Sequence, residues 1–112
     1  MIVEVKIDQL YEIEHRATEG HFTGRPIIPG VVILADVMRA FRKQNADQHT
    51  LSPHYAIRAA KFMRPVLPGQ TMTIALKIAA INVTENRLAV SFECAVADTI
   101  VAKGALDFYG RE

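Results

Sequence analysis

The sequence predicts an α+β domain in which an antiparallel sheet of five to six strands surrounds one buried helix. Three observations predict it: apolar and polar residues alternate over three segments of the second half, short polar breaks separate those segments, and one long run in the first half is apolar almost all round. With 112 residues, 50% of them hydrophobic, the chain has material for one core, so we expect a single domain over residues 1–112.

The first half of the chain predicts weak strands and one helix. Residues 2–7 and 10–17 alternate weakly and predict two strands or one bent strand. The helix is expected from Val31 to about Gln44, after the Pro29-Gly30 break, because this stretch contains no helix breaker. Another strand is expected over residues 55–62, and it ends before residues 64–69, whose two prolines prevent continued pairing.

The second half predicts a three-stranded antiparallel meander over residues 71–81, 88–97 and 100–109, because the breaks are short enough for hairpin turns. Gly104 predicts a bulge or a close approach by another segment, and the single cysteine, Cys94, is expected as a small core residue that forms no intramolecular disulfide. The residues expected on the buried face are Met72, Ile74, Leu76, Ile78, Ala80, Leu88, Val90, Phe92, Cys94, Val96, Ile100, Ala102, Leu106 and Phe108.

Charge and composition exclude several classes of function. The formal net charge is +1 and the basic residues are scattered, so nothing indicates binding to nucleic acid or to a membrane surface. Charged residues occur too early for a signal peptide, and no stretch approaches the roughly 20 apolar residues of a membrane span. We therefore expect a cytoplasmic protein. His15, His49 and His54 lack the spacing of metal ligands, so no metal site is expected.

The segment 20–32 carries the residues with chemical potential. Two prolines and three glycines restrict its path, and it delivers His21 shortly before the expected start of the helix. The first amides of a helix lack partners within the helix, so those of Gly30 and Val31 can stabilise a developing negative charge, assisted by the helix dipole. A base beside such amides is the minimum needed to remove a proton next to a thioester carbonyl.

Two motifs carry a family resemblance. His21-Phe22-x-Gly24-x-Pro26-x-x-Pro29-Gly30-Val31 resembles the active-site loop of the β-hydroxyacyl-acyl-carrier-protein dehydratases of bacterial fatty-acid synthesis. Residues 61–70, Lys-Phe-Met-Arg-Pro-Val-Leu-Pro-Gly-Gln, are similar to that family's downstream motif, in the same order and at a fitting separation. The resemblance covers the chain from His21 onward, while the N-terminal region is shorter than in typical members. It implies the hotdog fold, in which a sheet wraps one central helix, and a dimer whose subunits pair edge to edge.

The reaction that the resemblance implies is dehydration. A β-hydroxyacyl chain on the phosphopantetheine arm of an acyl carrier protein loses water to give the trans-enoyl thioester, with no metal and no dissociable cofactor. His21 matches the catalytic histidine, and Gly30 and Val31 match the amides that polarise the thioester carbonyl.

The other expected site residues are less specific. Phe22 and Pro29 are expected to contact the substrate, although Phe22, like Phe41 and Phe62, also fits a core or interface position. Three cations could dock the carrier protein and its phosphate, although each also fits a solvated loop charge: Arg25, Lys61 and Arg64.

The sequence departs from the family at the acidic residue, which the helix of the second subunit contributes to the site. Counted from His21, that position falls on Ala35, and the nearest acid is Asp36. One residue is about 100° of helix rotation, so Asp36 does not simply replace the missing group. Asp36 shares a stripe with Arg39 and Lys43, so it either pairs with Arg39 or solvent, or belongs to a helix turned to present it to the site.

Three hypotheses follow from these residues. The first is an active dehydratase that uses His21 and Asp36. The second is a non-catalytic or half-catalytic subunit that pairs with a different hotdog chain, because Ala35 leaves the composite site without its acid. The third is an acyl thioesterase in which Asp36 drives hydrolysis. The expected partners are accordingly the acyl carrier protein and a second hotdog subunit, in a homodimer or a heterodimer.

Overall fold

A computed structural model describes residues 2–12, 27–44, 51–82 and 87–110, and these residues form one helix and five antiparallel strands. The order of the strands in the sheet is β1-β3-β4-β5-β2, which confirms the predicted α+β class and the C-terminal meander. Residues 13–17 of the second predicted strand lie outside the described residues. The elements are β1 Ile2–Leu10, α1 Gly30–Gln44, β2 Leu51–Phe62, β3 Thr71–Asn82, β4 Arg87–Val96 and β5 Thr99–Gly110.

The core lies between α1 and the inner face of the sheet. Alternate residues of β3 and β4 are buried as predicted, because every second side chain of a strand points to the same face. The helix contributes Val37 and Phe41, both fully buried, and the Phe41 ring stacks on Phe108 with 4.1 Å between ring centroids. Such a stack adds about 0.5–1.5 kcal/mol to the burial itself, so this pair helps to hold α1 against β5.

Cys94 belongs to this core, as predicted. Its side chain is fully buried on β4, and that burial raises the pKa of the thiol to about 12. The nucleophilic form of a cysteine is the thiolate, so a thiol with this pKa is inert near neutral pH. Cys94 is therefore a packing residue.

The hairpin between β4 and β5 is a two-residue turn. Val96 pairs with Thr99, and the two residues between them, Ala97 and Asp98, have φ angles of 48° and 67°. Positive φ at both central positions is the geometry of a type I′ turn, whose twist matches that of the strands it joins. The break predicted near Asp98 is therefore a tight hairpin.

One predicted core residue is wrong. Ile100 was expected on the buried face of β5, but its side chain is 40% exposed. The register between β4 and β5 shifts between Cys94 and Ala95, so Ile100 pairs with Ala95 and Val101 is buried in its place. A bulge of this kind moves side chains to the opposite face of the sheet.

Gly104 marks a close approach, as predicted. A Cβ atom at this position would overlap the backbone carbonyl oxygen of Ala59 and would lie 2.7 and 2.8 Å from two carbons of the Phe92 ring. The register of β2 against β5 shifts nearby, between Ile57 and Ala59. The absence of a side chain at Gly104 therefore lets the backbone of β2 and the Phe92 ring approach β5 closely.

The helix is less completely buried than its apolar sequence predicts. Val31 is 78% exposed, and Tyr55 and Ile57 on the inner face of β2 are also exposed. The reason is that β2 is an outermost strand of the sheet and no described element covers this side of α1 and β2. Within the described residues, no helix is both long enough and apolar enough to cross a membrane.

Candidate active site

The start of α1 is fixed by the corner that follows β2, here defined as residues 63–70. The Ile28 amide donates to the Val66 carbonyl at 2.7 Å, which aligns the segment before the helix with this corner. The Pro29 carbonyl then accepts hydrogen bonds from the amides of Val32 and Ile33 at 3.0 and 3.3 Å. The amides of Gly30 and Val31 precede these first bonded amides. Their role as an oxyanion site stays a prediction.

The corner is itself held by two other parts of the sheet. The Met63 and Arg64 amides both donate to the carbonyl of Val101, the bulged residue of β5, at 2.8 and 3.3 Å. At its other end, the Gly69 amide donates to the Tyr11 carbonyl at 2.6 Å, and the Tyr11 amide donates to the Gln70 carbonyl at 3.0 Å. Gly69 adopts a φ of 92°, which a residue with a side chain rarely adopts.

Two cavities flank the helix start. The first, the edge pocket, has a volume of about 440 Å³ and lies between α1 and the exposed inner face of β2. The second, the corner pocket, has a volume of about 330 Å³ and lies between the helix start and the corner. The edge pocket is lined by Gly30, Val31, Leu34, Met38, Tyr55, Ile57 and Phe62. The corner pocket shares Gly30 and Phe62 and adds Ile28, Ile33, Arg64 and Val66 among others.

Three of the predicted site residues cannot be placed. His21, Phe22 and Arg25 lie outside the described residues, so their roles stay predictions. Pro29, Gly30 and Val31 do lie at the helix start, where Gly30 lines both pockets and Val31 lines the edge pocket. The structure therefore describes the proposed amide side of the site and not the proposed base.

Asp36 points into the protein, where two donors hold it. Its side chain is 6% exposed; Oδ2 accepts a hydrogen bond from the Tyr11 hydroxyl at 2.7 Å, and Oδ1 pairs with Arg39 Nη1 at 2.6 Å. The pairing with Arg39, one of the two predicted interpretations, is confirmed. Burial, followed by the hydrogen bond to Asp36, raises the pKa of Tyr11 well above its ordinary value, so the phenol stays protonated and donates.

Tyr11 was missed at the sequence level. It is separated from Asp36 by 25 residues, and no spacing rule connects the end of a strand with the middle of a helix. Ala35, beside Asp36, is half-buried and brings no polar group. Among the described residues of the helix, therefore, the only acid has both carboxylate oxygens engaged within its own subunit.

The two described cations that were predicted to dock a carrier protein point in different directions. Arg64 is exposed and lines the corner pocket. Lys61 pairs with Lys103 on the outer face of the sheet, opposite to the helix. In the described part of the chain, no group of three or more His, Cys, Asp or Glu side chains could hold a metal ion.

The comparisons with known proteins point to dehydratases. The family model described as "ApeI-like: ApeI dehydratase" matches residues 3–105. A 3-hydroxyacyl-[acyl-carrier-protein] dehydratase FabZ of Chlamydia trachomatis serovar L2 is 33% identical over 96 residues, covering 80% of this chain and 61% of that protein. The FabZ of Ehrlichia canis is 34% identical over 97 residues, covering 78% and 62%. The chain thus spans about three-fifths of the length of these relatives, and the predicted resemblance is confirmed.

Solved structures show the same fold. The dehydratase heterocomplex ApeI:P from Xenorhabdus doucetiae aligns with a TM-score of 0.68 and 22% identity, covering 95% of this chain and 87% of that one. The (R)-hydratase from A. caviae involved in PHA biosynthesis aligns with a TM-score of 0.72 and 11% identity, covering 96% and 93%. Identities this low carry information on the fold alone, which is the predicted hotdog fold.

Proposed function

This chain belongs to the ApeI-like dehydratase family, and from that premise we propose that it dehydrates a β-hydroxyacyl thioester on an acyl carrier protein. The product is the trans-enoyl thioester, made for fatty-acid or related acyl chains in the cytoplasm. One observation supports this most: the amides of Gly30 and Val31 open the helix between two largely apolar pockets. Backbone amides in a site of low polarity stabilise the charge that develops on a thioester oxygen.

The proposed mechanism uses the chain's own groups. The thioester oxygen accepts from the Gly30 and Val31 amides, which makes the neighbouring carbon more acidic. His21 removes a proton from that carbon and returns it to the leaving β-hydroxyl. The C–H and C–O bonds break, a carbon–carbon double bond forms and water departs. Phe22 and Pro29 border the substrate, and no cofactor or metal takes part.

We further propose that the active unit is a hotdog dimer. The edge of β2 has no neighbouring strand among the described residues, and backbone groups on an open edge readily pair with another chain. Beside it, the exposed apolar side chains of Val31, Tyr55 and Ile57 line the edge pocket, and a partner subunit would close this pocket from the solvent side. Arg25, Lys61 and Arg64 stay candidates for contacts with the acidic carrier protein and its phosphate.

The reaction is tested by turnover. Purified protein should convert β-hydroxyacyl carrier protein into a product lighter by one water, measured by mass spectrometry over a series of chain lengths.

Replacing His21 with alanine should lower kcat by at least ~10²-fold, because a positioned general base is lost. The matched control is His54→Ala, which removes an exposed histidine of β2. A folded protein that yields no enoyl product at any chain length contradicts the proposal, and release of free thiol instead indicates a thioesterase.

The second candidate function is a half-catalytic subunit. Ala35 brings no acid, and the Asp36 carboxylate is already held by Tyr11 and Arg39, so a second copy of this chain supplies no available helix acid. A different hotdog chain that carries the acid would complete the site. One solved structure of similar fold is itself a dehydratase heterocomplex.

Replacing Ala35 with glutamate separates the two candidates. If the acid is missing, the homodimer of Ala35→Glu should gain activity by at least ~10-fold, because a general acid is restored. The control is Ala35→Gln, which has nearly the same shape but no carboxylate. A homodimer that is fully active alone, and that Ala35→Glu slows, contradicts the half-catalytic function.

A further inference from the structure

Phe62 stands at the boundary between the two pockets. Its ring lies over Gly30 so closely that a Cβ atom there would be 3.1 Å from two ring carbons and 3.3 Å from a third. Phe62 and Gly30 are the two described residues that line both pockets. The ring therefore forms the wall between them, directly beside the amides that open α1.

The two pockets differ in charge. Among the described residues that line the edge pocket none is charged, and the Tyr55 hydroxyl is its one polar side-chain group. The corner pocket is also mostly apolar, but the exposed cation Arg64 is among its lining residues. A phosphate is recognised by a guanidinium, whereas an alkyl chain is stabilised by apolar burial.

We propose that Phe62 is a specificity-determining residue that separates an acyl pocket from a pantetheine pocket. The inference rests on the proposed function. The acyl group occupies the edge pocket, the phosphate-bearing arm crosses the corner pocket past Arg64, and the thioester lies beside the Phe62 ring at the Gly30 amide. The ring thereby limits the bulk of the acyl group next to the thioester.

The first test is a substrate series that varies in acyl length and branching. Phe62→Ala should raise kcat/KM for bulky acyl groups relative to short linear ones by ~10-fold or more, because removing pocket bulk changes discrimination by this amount. Phe62→Leu should give a smaller shift in the same direction. The matched control is Leu67→Ala, which removes an exposed apolar side chain of the same corner that lines neither pocket.

Substitution of Arg64 provides a second, independent test. Arg64→Ala should raise KM for phosphopantetheine thioesters and leave KM unchanged for N-acetylcysteamine thioesters, which lack the phosphate. A Phe62→Ala variant with the wild-type substrate profile, or an Arg64→Ala effect equal on both kinds of thioester, overturns the inference.

Binding separates this inference from the proposed reaction. Non-reactive acyl-pantetheine thioethers are titrated calorimetrically into wild type, Phe62→Leu and Phe62→Ala, each checked for a folded circular dichroism spectrum. If the wild-type protein turns over no substrate, and the Phe62 variants nevertheless change the ranking of thioether affinities, the inference holds and the proposed reaction fails. If wild type is active and the ranking does not change, the inference alone fails. Binding by none of the three overturns both.

Discussion

Replacing Gly104 with alanine is expected to destabilise the protein by ~3 kcal/mol or more and to lower Tm by ~10 °C or more. The added methyl would overlap the Ala59 carbonyl oxygen and press on the Phe92 ring, which is buried. The carbonyl belongs to the backbone of β2, so the overlap is relieved only if the whole strand shifts. Thermal unfolding followed by circular dichroism measures the change.

Two controls isolate the cause. Ala105→Val adds carbon atoms at the next residue of the same strand, on the outer face, and should change the free energy of unfolding by no more than ~1 kcal/mol. In a Phe92→Leu background, Gly104→Ala should cost less than in wild type, because contacting residues are coupled. A Gly104→Ala protein with a Tm within ~2 °C of wild type would show that β2 does not approach β5 so closely.

Breaking the buried bond between Tyr11 and Asp36 should have the second largest effect. Tyr11→Phe leaves a buried carboxylate oxygen without its donor and is expected to cost ~1.5–3 kcal/mol. Asp36→Ala removes the carboxylate that accepts the hydrogen bond of the Tyr11 hydroxyl and opens a small cavity, for ~2–4 kcal/mol. The double variant Tyr11→Phe/Asp36→Leu should cost less than the sum, since neither polar group is then left unpaired.

The ion pair between Asp36 and the exposed Arg39 serves as the control. Arg39 is 70% exposed, so Arg39→Ala should cost no more than ~1 kcal/mol. The free energies come from denaturant titration at constant pH. A coupling energy near zero between Tyr11 and Asp36 would contradict the bond. Loss of kcat in Asp36→Asn at unchanged stability would instead make Asp36 the catalytic acid of the first hypothesis.

The burial of Tyr11, together with its bond to Asp36, has a pH signature. The pKa of Tyr11 is raised in the folded protein, so its contribution to stability is complete below the unfolded value of 10.0 and declines as the pH rises above it. The pKa of the Cys94 thiol is also raised in the folded protein, so its contribution to stability likewise declines as the pH rises above the unfolded value of 9.0. Wild type should therefore lose stability above about pH 9, and the loss should be less steep in Tyr11→Phe.

The fold was predictable because its signal is local. The alternation of Met72, Ile74 and Leu76 indicates a strand with one buried face without reference to the rest of the chain. The prediction for Ile100 was wrong because the bulge at the neighbouring Val101 depends on how β4 and β5 pair, which alternation within one strand does not record. Val31 was placed in a buried helix because a helix that is apolar almost all round predicts burial, whereas the described residues leave Val31 78% exposed.

The site was predictable only where it is continuous in sequence. The position of Gly30 and Val31 at the helix start follows from the Pro29-Gly30 break and agrees with the structure. The contact of Phe62 with Gly30 and the bond of Tyr11 to Asp36 join residues 32 and 25 positions apart, and no motif spans either pair. His21 stays a prediction from its motif.

The corner after β2 has a consequence for how this site can diversify. It is tied to the end of β1, to the bulge of β5 and to Ile28, so the helix mouth takes its position from strands far apart in the chain. Every one of these anchoring bonds joins backbone atoms, so exposed side chains of the corner can be exchanged while the helix mouth keeps its position.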